Sequence, residues 1–285
     1  MADGKLVIVT GASENHARPL LNLLKSTAYY EPGTKIVVYD LGLEKATLGA
    51  LRRRRCNVVP FRFADYPPHV GADRLRTYAW KPAMVHEVLQ GEGLPLLYLD
   101  AGDLVHKRLD RVRAELARTG FYSPSVTGTI VEWCHPATLE AMQVEAEIRN
   151  DGNRNAAIVG FGTTAMAREI GARWYECAMQ PDIICPPGAT KKDGHRFDQT
   201  VLSILVARAR RQYGFTPEDE LLDISYHNDK LTPQEARGYM KSGPVSGGTA
   251  AVLLELEKRR PYPVRCLRRA AKTAWEGIKA MATRD

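Results

Sequence analysis

The sequence predicts an α/β protein built on a Rossmann-type mixed sheet flanked by helices, with a basic helical tail at the C-terminus. Two observations carry this reading. Over the first hundred residues, short apolar, β-branched runs alternate with segments of helical spacing, the pattern of parallel strands joined by crossover helices. The run Leu94-Pro95-Leu96-Leu97-Tyr98-Leu99 is almost wholly apolar, as suits a strand covered on both faces, and it turns directly into Asp100-Ala101-Gly102-Asp103.

In chain order, Leu6 to Thr10 is a strand ending in Gly11-Ala12-Ser13, and Ala17 to Tyr30 carries Leu20, Leu21, Leu23 and Leu24 at helical spacing. Lys35 to Asp40 repeats the strand, Glu44 to Arg54 the helix, and Asn57 to Phe63 gives a third strand. Arg74 to Gln90 reads as a helix with Pro82 near its first turn, and the strand ending at Leu99 follows. Beyond Asp103 the pattern turns mixed: Gly120 to Ser125, Thr127 to Trp133 and Ala156 to Phe161 are short strands, with a helix over Pro136 to Asn150. Pro181-Asp182, Pro186-Pro187-Gly188 and Lys191-Lys192-Asp193-Gly194 mark a long polar loop, the kind that forms lids or binding loops. A helix then opens at Asp198-Gln199, its apolar positions Val201, Leu202, Ile204, Leu205 and Ala209 facing a core and its arginine-rich end suiting the negative pole of the helix dipole. These boundaries give one domain over 1–241, a Gly- and Ser-rich linker over 242–249 and a helical extension over 250–285.

With 285 residues, 44% of them hydrophobic, the chain can build a full core. No apolar stretch approaches the roughly 20 residues that span a bilayer, and the first residues run into a strand without a secretory pattern. The five cysteines are widely spaced with no Cys-x-x-Cys pair, which indicates neither a disulfide framework nor structural zinc. A reducing, cytoplasmic compartment fits, although a luminal domain separated from its anchor would read alike. The net charge of +7 favours anionic partners, but the excess lies in Arg52 to Arg55 and in Lys258 to Arg269. Without a recognition module or aromatic platform, this is not the pattern of a nucleic-acid binder. Val264, Leu267, Ala271, Ala274, Trp275 and Ile278 share one helical face ringed by Arg and Lys; this amphipathic helix either docks on the domain or makes a peripheral contact with anionic lipid.

In open α/β sheets ligands gather at the carboxyl ends of the strands, which places Asp100 and Asp103 in such a crevice. Hard oxygen ligands there suit Mg²⁺ or Mn²⁺ bridging to substrate phosphates. The plainer alternative is that Asp103 caps the turn and Asp100 pairs with a nearby cation. A second enzyme class also comes to mind, because Val7-Ile8-Val9-Thr10-Gly11-Ala12-Ser13 looks like the opening of an NAD(P)-dependent short-chain oxidoreductase. The glycine turn is not completed, however: Glu14, Asn15, His16 and Ala17 stand where further glycines belong, and Tyr78 and Lys81 are three apart rather than four.

Taken together, Tyr78-Ala79-Trp80-Lys81-Pro82, Tyr98-Leu99-Asp100-Ala101-Gly102-Asp103, Asn155-Ala156-Ala157-Ile158-Val159-Gly160-Phe161 and His195-Arg196-Phe197-Asp198-Gln199 resemble a GT-A-fold nucleotide-sugar glycosyltransferase, with a distant similarity to the glycogenin-like enzymes, over Leu6 to Tyr226. The resemblance implies a sugar transferred from a nucleoside diphosphate donor, a UDP-sugar, to a glycan hydroxyl, with inversion. It implies Mn²⁺ or Mg²⁺ on Asp100 and Asp103 with His195 as third ligand, and it places the donor among Thr10, Gly11, Ala12, Asp40, Arg76, Lys81, Asn155 and Gly160. The family form is Asp-x-Asp, from which Gly102 departs; that departure keeps open a binding module without turnover. Inversion needs a carboxylate to take the acceptor proton, a role that falls to Asp198; in a retaining enzyme Asp198 would instead orient the acceptor, and its plainer reading is an N-cap. Asp40 equally reads as a turn cap, and Lys81 as a helix-surface lysine.

Overall fold

A computed structural model of the chain describes residues 5–54 and 56–242. The expected 242–249 linker beyond its first residue, and the 250–285 extension with its amphipathic face, lie outside the described residues. β1 (Val7–Ala12), α1 (Ala17–Tyr30), β2 (Lys35–Asp40), α2 (Lys45–Arg53), β3 (Asn57–Pro60), α3 (Trp80–Gly91) and β4 (Leu96–Leu99) form the alternating half that the apolar patterning predicts. β1 lies between β2 and β4, parallel to both, with Val9 opposite Val37 on one side and Tyr98 on the other. Its six residues are all buried, which explains the absence of polar alternation in its sequence.

The second half is mixed, as expected. β5 (Leu104–Val105), α4 (Asp110–Thr119), β6 (Phe121–Tyr122), β7 (Ser125–Thr129), α5 (Pro136–Ala141), β8 (Gly152–Arg154), β9 (Ile158–Phe161), α6 (Ala165–Ala178), α7 (Pro181–Ile184), α8 (Asp198–Tyr213), β10 (Ile224–Ser225) and α9 (Pro233–Ser242) follow. The main sheet runs in the order β3-β2-β1-β4-β9-β6, with β9 antiparallel to β4 and to β6. Alternating residues divide the core: Val7, Val9, Leu96 and Tyr98 pack with α3, α6 and α8, while Ile8, Leu97 and Leu99 pack with α1 and α4.

Three local expectations are corrected. The helix expected from Arg74 is broken at Tyr78, whose φ of 56° separates a 3₁₀ segment, Ala72–Thr77, from α3. The helix expected over Pro136 to Asn150 ends at Ala141, and Gln143 lies in the left-handed region with φ 49°. The segment 165–178, assigned to no element, is a four-turn helix in which Met166, Ala167, Ile170, Gly171, Trp174 and Ala178 are buried and the Thr164 hydroxyl caps the Ala167 N–H. Pairing of β10 with β5 brings the following segment, residues 226–230, against the turn after β4: the Asn228 N–H donates to the Gly102 carbonyl at 2.8 Å.

Candidate functional site

The turn after β4 is held by its own polar groups. The Asp100 N–H donates to the Ala157 carbonyl (2.9 Å) and to Asp103 Oδ2 (3.0 Å), and the Asp103 N–H returns to the Asp100 carbonyl (2.9 Å). Asp103 is therefore both a turn cap and a buried acid, 1% exposed, with its second oxygen, Oδ1, without a hydrogen-bond partner. Burial, reinforced by the neighbouring Asp100 carboxylate, pushes its pKa well above the ordinary carboxylate range. A buried carboxylate oxygen left unsatisfied is costly unless it takes a proton or a ligand.

Lys81 stands behind this turn. Its Nζ lies 3.1 Å from Asp100 Oδ1, 2.9 Å from Asp198 Oδ2 and 3.0 Å from the Ala156 carbonyl, and its side chain is 3% exposed. The surface-lysine reading thus fails. Burial alone would lower the pKa of this ammonium, but the two carboxylates override it and hold the charge in place. The Tyr98 hydroxyl adds a hydrogen bond to Asp100 Oδ1 at 2.7 Å. The strain of the site sits next to these groups: Tyr78, φ 56°, precedes the first turn of α3, and Phe197, φ 50°, immediately precedes Asp198. Left-handed backbone at bulky residues costs of order 1–3 kcal/mol each and persists where surrounding contacts impose it.

A cavity of about 410 Å³ opens at the carboxyl ends of β1 and β4, within the size range of small-molecule sites. Asp100 and Asp103 line it together with Gly11 and Ala12 from β1, Arg76 and Lys191. These six include five residues singled out from the sequence; Lys191 comes from the polar loop named there. Its ammonium donates to the Tyr78 hydroxyl (2.7 Å) and lies 4.3 Å from that ring's centroid. The cavity also takes Ser13, Asn15 and His16 from the β1–α1 connection, and His227 and Asp229 from the segment after β10. Sequence reasoning missed these last two, because a short loop from the far end of the domain carries no periodicity.

Several expected residues stand elsewhere. His195 is not a third metal ligand: its Nε2 pairs with the Ile184 carbonyl (2.9 Å) and its Nδ1 accepts from the His135 N–H (3.2 Å), so both ring nitrogens are committed to backbone. Burial lowers its pKa and keeps the ring neutral. Among the described residues no three His, Cys, Asp or Glu side chains converge to hold a metal unaided. Asp40 caps its own turn, accepting from the Gly42 (2.8 Å) and Leu43 (2.6 Å) N–H groups. Asn155 Oδ1 accepts from the Ala157 N–H (2.6 Å), which shapes the backbone around the Ala156 carbonyl that Lys81 grips. Gly160 lies inside β9, where an added Cβ would meet Leu116 at 3.0 Å and Tyr122 at 3.2 Å, so its smallness serves packing rather than a ligand. Thr10 is fully buried in β1 and does not line the cavity.

Asp198 is brought to the site but not to its surface. Its side chain is 5% exposed, lies behind Asp100 on the shared ammonium, and does not line the cavity. Burial raises its pKa, against the opposing pull of Lys81. What the structure shows Asp198 doing is anchoring Lys81 from outside the cavity lining; in this arrangement it is not within reach of an acceptor hydroxyl. The oxidoreductase reading also loses ground. Gly11 lies within β1 rather than in the turn, and an added Cβ there would meet Met84 at 2.8 Å, which is again a packing constraint.

The profile of a family described as proteins of unknown function (DUF1647) matches residues 2–86. No curated protein matches the chain. Among solved structures, the chain is similar to the galactosyltransferase LgtC in complex with donor and acceptor sugar analogues, at 15% identity over 86% of this chain and 98% of that one, with a TM-score of 0.48. It is also similar to mouse xyloside xylosyltransferase 1, at 11% identity over 80% of this chain and 98% of that one, with a TM-score of 0.44. For the glycosyltransferase GlyE of Streptococcus pneumoniae the identity is 13%, the coverage 71% of this chain and 43% of that one, and the TM-score 0.43.

Proposed function

We propose that the chain is a glycosyltransferase that moves a sugar from a nucleoside diphosphate donor, a UDP-sugar, to a glycan hydroxyl with the help of Mn²⁺ or Mg²⁺. The observation that carries this reading is the unpartnered, buried Oδ1 of Asp103, beside Asp100, in a cavity at the carboxyl end of a central parallel strand. The donor set fits a hard divalent cation: carboxylate oxygens are present, one of them lacks any protein partner, and such cations commonly take their remaining ligands from phosphate and water. Asp100 and Asp103 would hold it, and its charge would neutralise the diphosphate that leaves as the glycosidic bond breaks.

The chain's own residues do the rest. Lys81, anchored by Asp198 and the Ala156 carbonyl, fixes the Asp100 carboxylate, which the Tyr98 hydroxyl holds from a second side. Lys191 and Arg76 bring positive charge to the cavity wall, where it would attract the donor's phosphates. Gly11 and Ala12, at the end of β1, line the cavity where the nucleoside would lie. Inversion was expected on the strength of Asp198 as base; with that carboxylate behind the wall, the stereochemistry is to be read from the product, by the anomeric coupling in its proton NMR spectrum.

The test is release of UDP from a panel of UDP-sugars in Mn²⁺ and in EDTA, for wild type and Asp103→Asn. The proposal expects release in Mn²⁺ that EDTA and the substitution both abolish. Release that persists in EDTA would remove the metal from the reading. UDP binding without release from any donor, acceptors included, would favour a binding module.

A further inference from the structure

Gly102 occupies the place where the resemblance calls for an acid, and the structure shows what stands there instead. A Cβ built at Gly102 would collide with the carboxylate of Asp229: the nearest carboxylate oxygen overlaps it, and Cγ and the other oxygen lie 2.8 and 2.9 Å away. The three atoms nearest that point are all from this one carboxylate. Gly102 does not lie in the left-handed region, so backbone conformation does not demand glycine here; the space a Cβ would take is the space the Asp229 carboxylate occupies. The approach is anchored, because the Asn228 N–H donates to the Gly102 carbonyl (2.8 Å) and the Asn228 amide donates to the Ser225 carbonyl (3.1 Å) and hydroxyl (3.0 Å).

We propose that Asp229 supplies the acid that position 102 lacks, so that a divalent cation carrying a nucleoside diphosphate is held by the turn carboxylates and Asp229 together; this rests on the nucleotide-sugar reading above. A second observation points to a ligand at this place. Asp103 Oδ1, on the residue adjoining Gly102, is buried without a partner, and Asp100, Asp103 and Asp229 line the same cavity. Asp229 Oδ1 lies 3.8 Å from His16 Nε2, with both side chains more than two-fifths exposed, a loose contact that leaves the carboxylate available. Among the described residues no three such side chains converge on a metal unaided, so phosphate oxygens and water would complete the shell, and cation affinity is expected to rise when nucleotide is present.

The test reads Mn²⁺ binding directly, by the electron paramagnetic resonance signal of free Mn²⁺ titrated into the full chain with and without UDP, and is independent of turnover. Wild type is expected to bind Mn²⁺ more tightly with UDP, and Asp229→Asn to lose about tenfold or more of that affinity. The exchange variant Gly102→Asp with Asp229→Gly moves the acid onto the turn and frees the space it needs. It is expected to regain most of the loss, its fold being checked by circular dichroism. An Asp229→Asn chain that binds Mn²⁺ and UDP as tightly as wild type overturns the role of Asp229 and leaves the nucleotide-sugar reading standing. A folded exchange variant as weak as Asp229→Asn also overturns it. Wild type that binds UDP without any gain in Mn²⁺ affinity overturns the metal-dependent reading itself.

Discussion

Lys81→Met removes an ammonium that is 3% exposed while keeping most of its apolar stem, so the change isolates the charge. Two carboxylates lose their partner, but unequally. Asp100 is one-third exposed and opens on the cavity, where water can replace the ammonium; Asp198, 5% exposed, has no such access. Leaving one member of a buried ion pair uncompensated costs about 3–5 kcal/mol, and that range is the expected loss in unfolding free energy at pH 8. The pH dependence follows from Asp198. Burial already raises its folded-state pKa, and Lys81 opposes the rise; without Lys81 the pKa climbs further. Above the ordinary carboxylate range the folded variant then holds a proton that the unfolded chain releases, so its stability falls as pH rises. The deficit against wild type is therefore smaller at pH 5 than at pH 8. The double change Lys81→Met with Asp198→Asn removes both buried charges and is expected to recover most of the loss. Urea unfolding followed by tryptophan fluorescence at both pH values gives these differences, provided the slopes agree. A loss below about 1 kcal/mol, or an equal loss at the two pH values, would refute the claim that Lys81 is the counter-charge of Asp198 in the core.

Three further outcomes separate ligand-facing residues from structural ones. Lys191→Ala should weaken UDP binding about tenfold by calorimetry, roughly 1.4 kcal/mol, with little change in stability, because this exposed side chain lines the cavity and its hydrogen bond goes to the Tyr78 hydroxyl. His195→Gln should destabilise by about 1–3 kcal/mol through poorly satisfied Ile184 and His135 backbone groups, with Mn²⁺ affinity unchanged. His195 titrates below its ordinary value in the fold, so the unfolded chain binds the extra proton first; relative to this variant, wild type should lose stability as pH falls below about 6.5. Gly160→Ala should cost about 1–3 kcal/mol by overpacking against Leu116 and Tyr122 and leave UDP affinity intact; a selective loss of UDP binding would return Gly160 to the donor site.

The parallel half of the fold was legible because β1 and β4 are buried apolar runs and α1 carries an apolar stripe; α1 and β2 begin and end where the pattern predicts. α6 carried the same kind of signal, Thr164 as cap and buried residues at 166, 170, 174 and 178, but it follows directly on a strand and its Gly171 interrupts the stripe. The break at Tyr78 was hidden because the left-handed turn uses a tyrosine rather than glycine. In the site, Asp100, Asp103, Lys81 and Asp198 were legible as charges at element ends, where local sequence fixes position. Their partition was not. Whether an acid faces a cavity or a lysine depends on tertiary packing, which is why Asp198 stands on Lys81 rather than on the cavity wall. Asp40 and Asn155 were each consumed by backbone groups two or three residues on, the common fate of polar side chains beside turns, whereas His195 is taken up by backbone of Ile184 and His135, which tertiary packing brings to it. Asp229 reaches the site through the pairing of β10 with β5, two-residue strands more than a hundred residues apart that no periodicity announces.

The central claim, that the cavity beside Asp100 and Asp103 takes a nucleoside diphosphate with a divalent cation, is tested most directly by calorimetric titration of UDP in Mn²⁺, of UDP in EDTA and of NADPH in either. The account predicts UDP binding that depends on Mn²⁺ and is lost in Asp103→Asn, and no binding of NADPH. Binding of NADPH without metal, or the absence of any UDP binding in Mn²⁺, would contradict it.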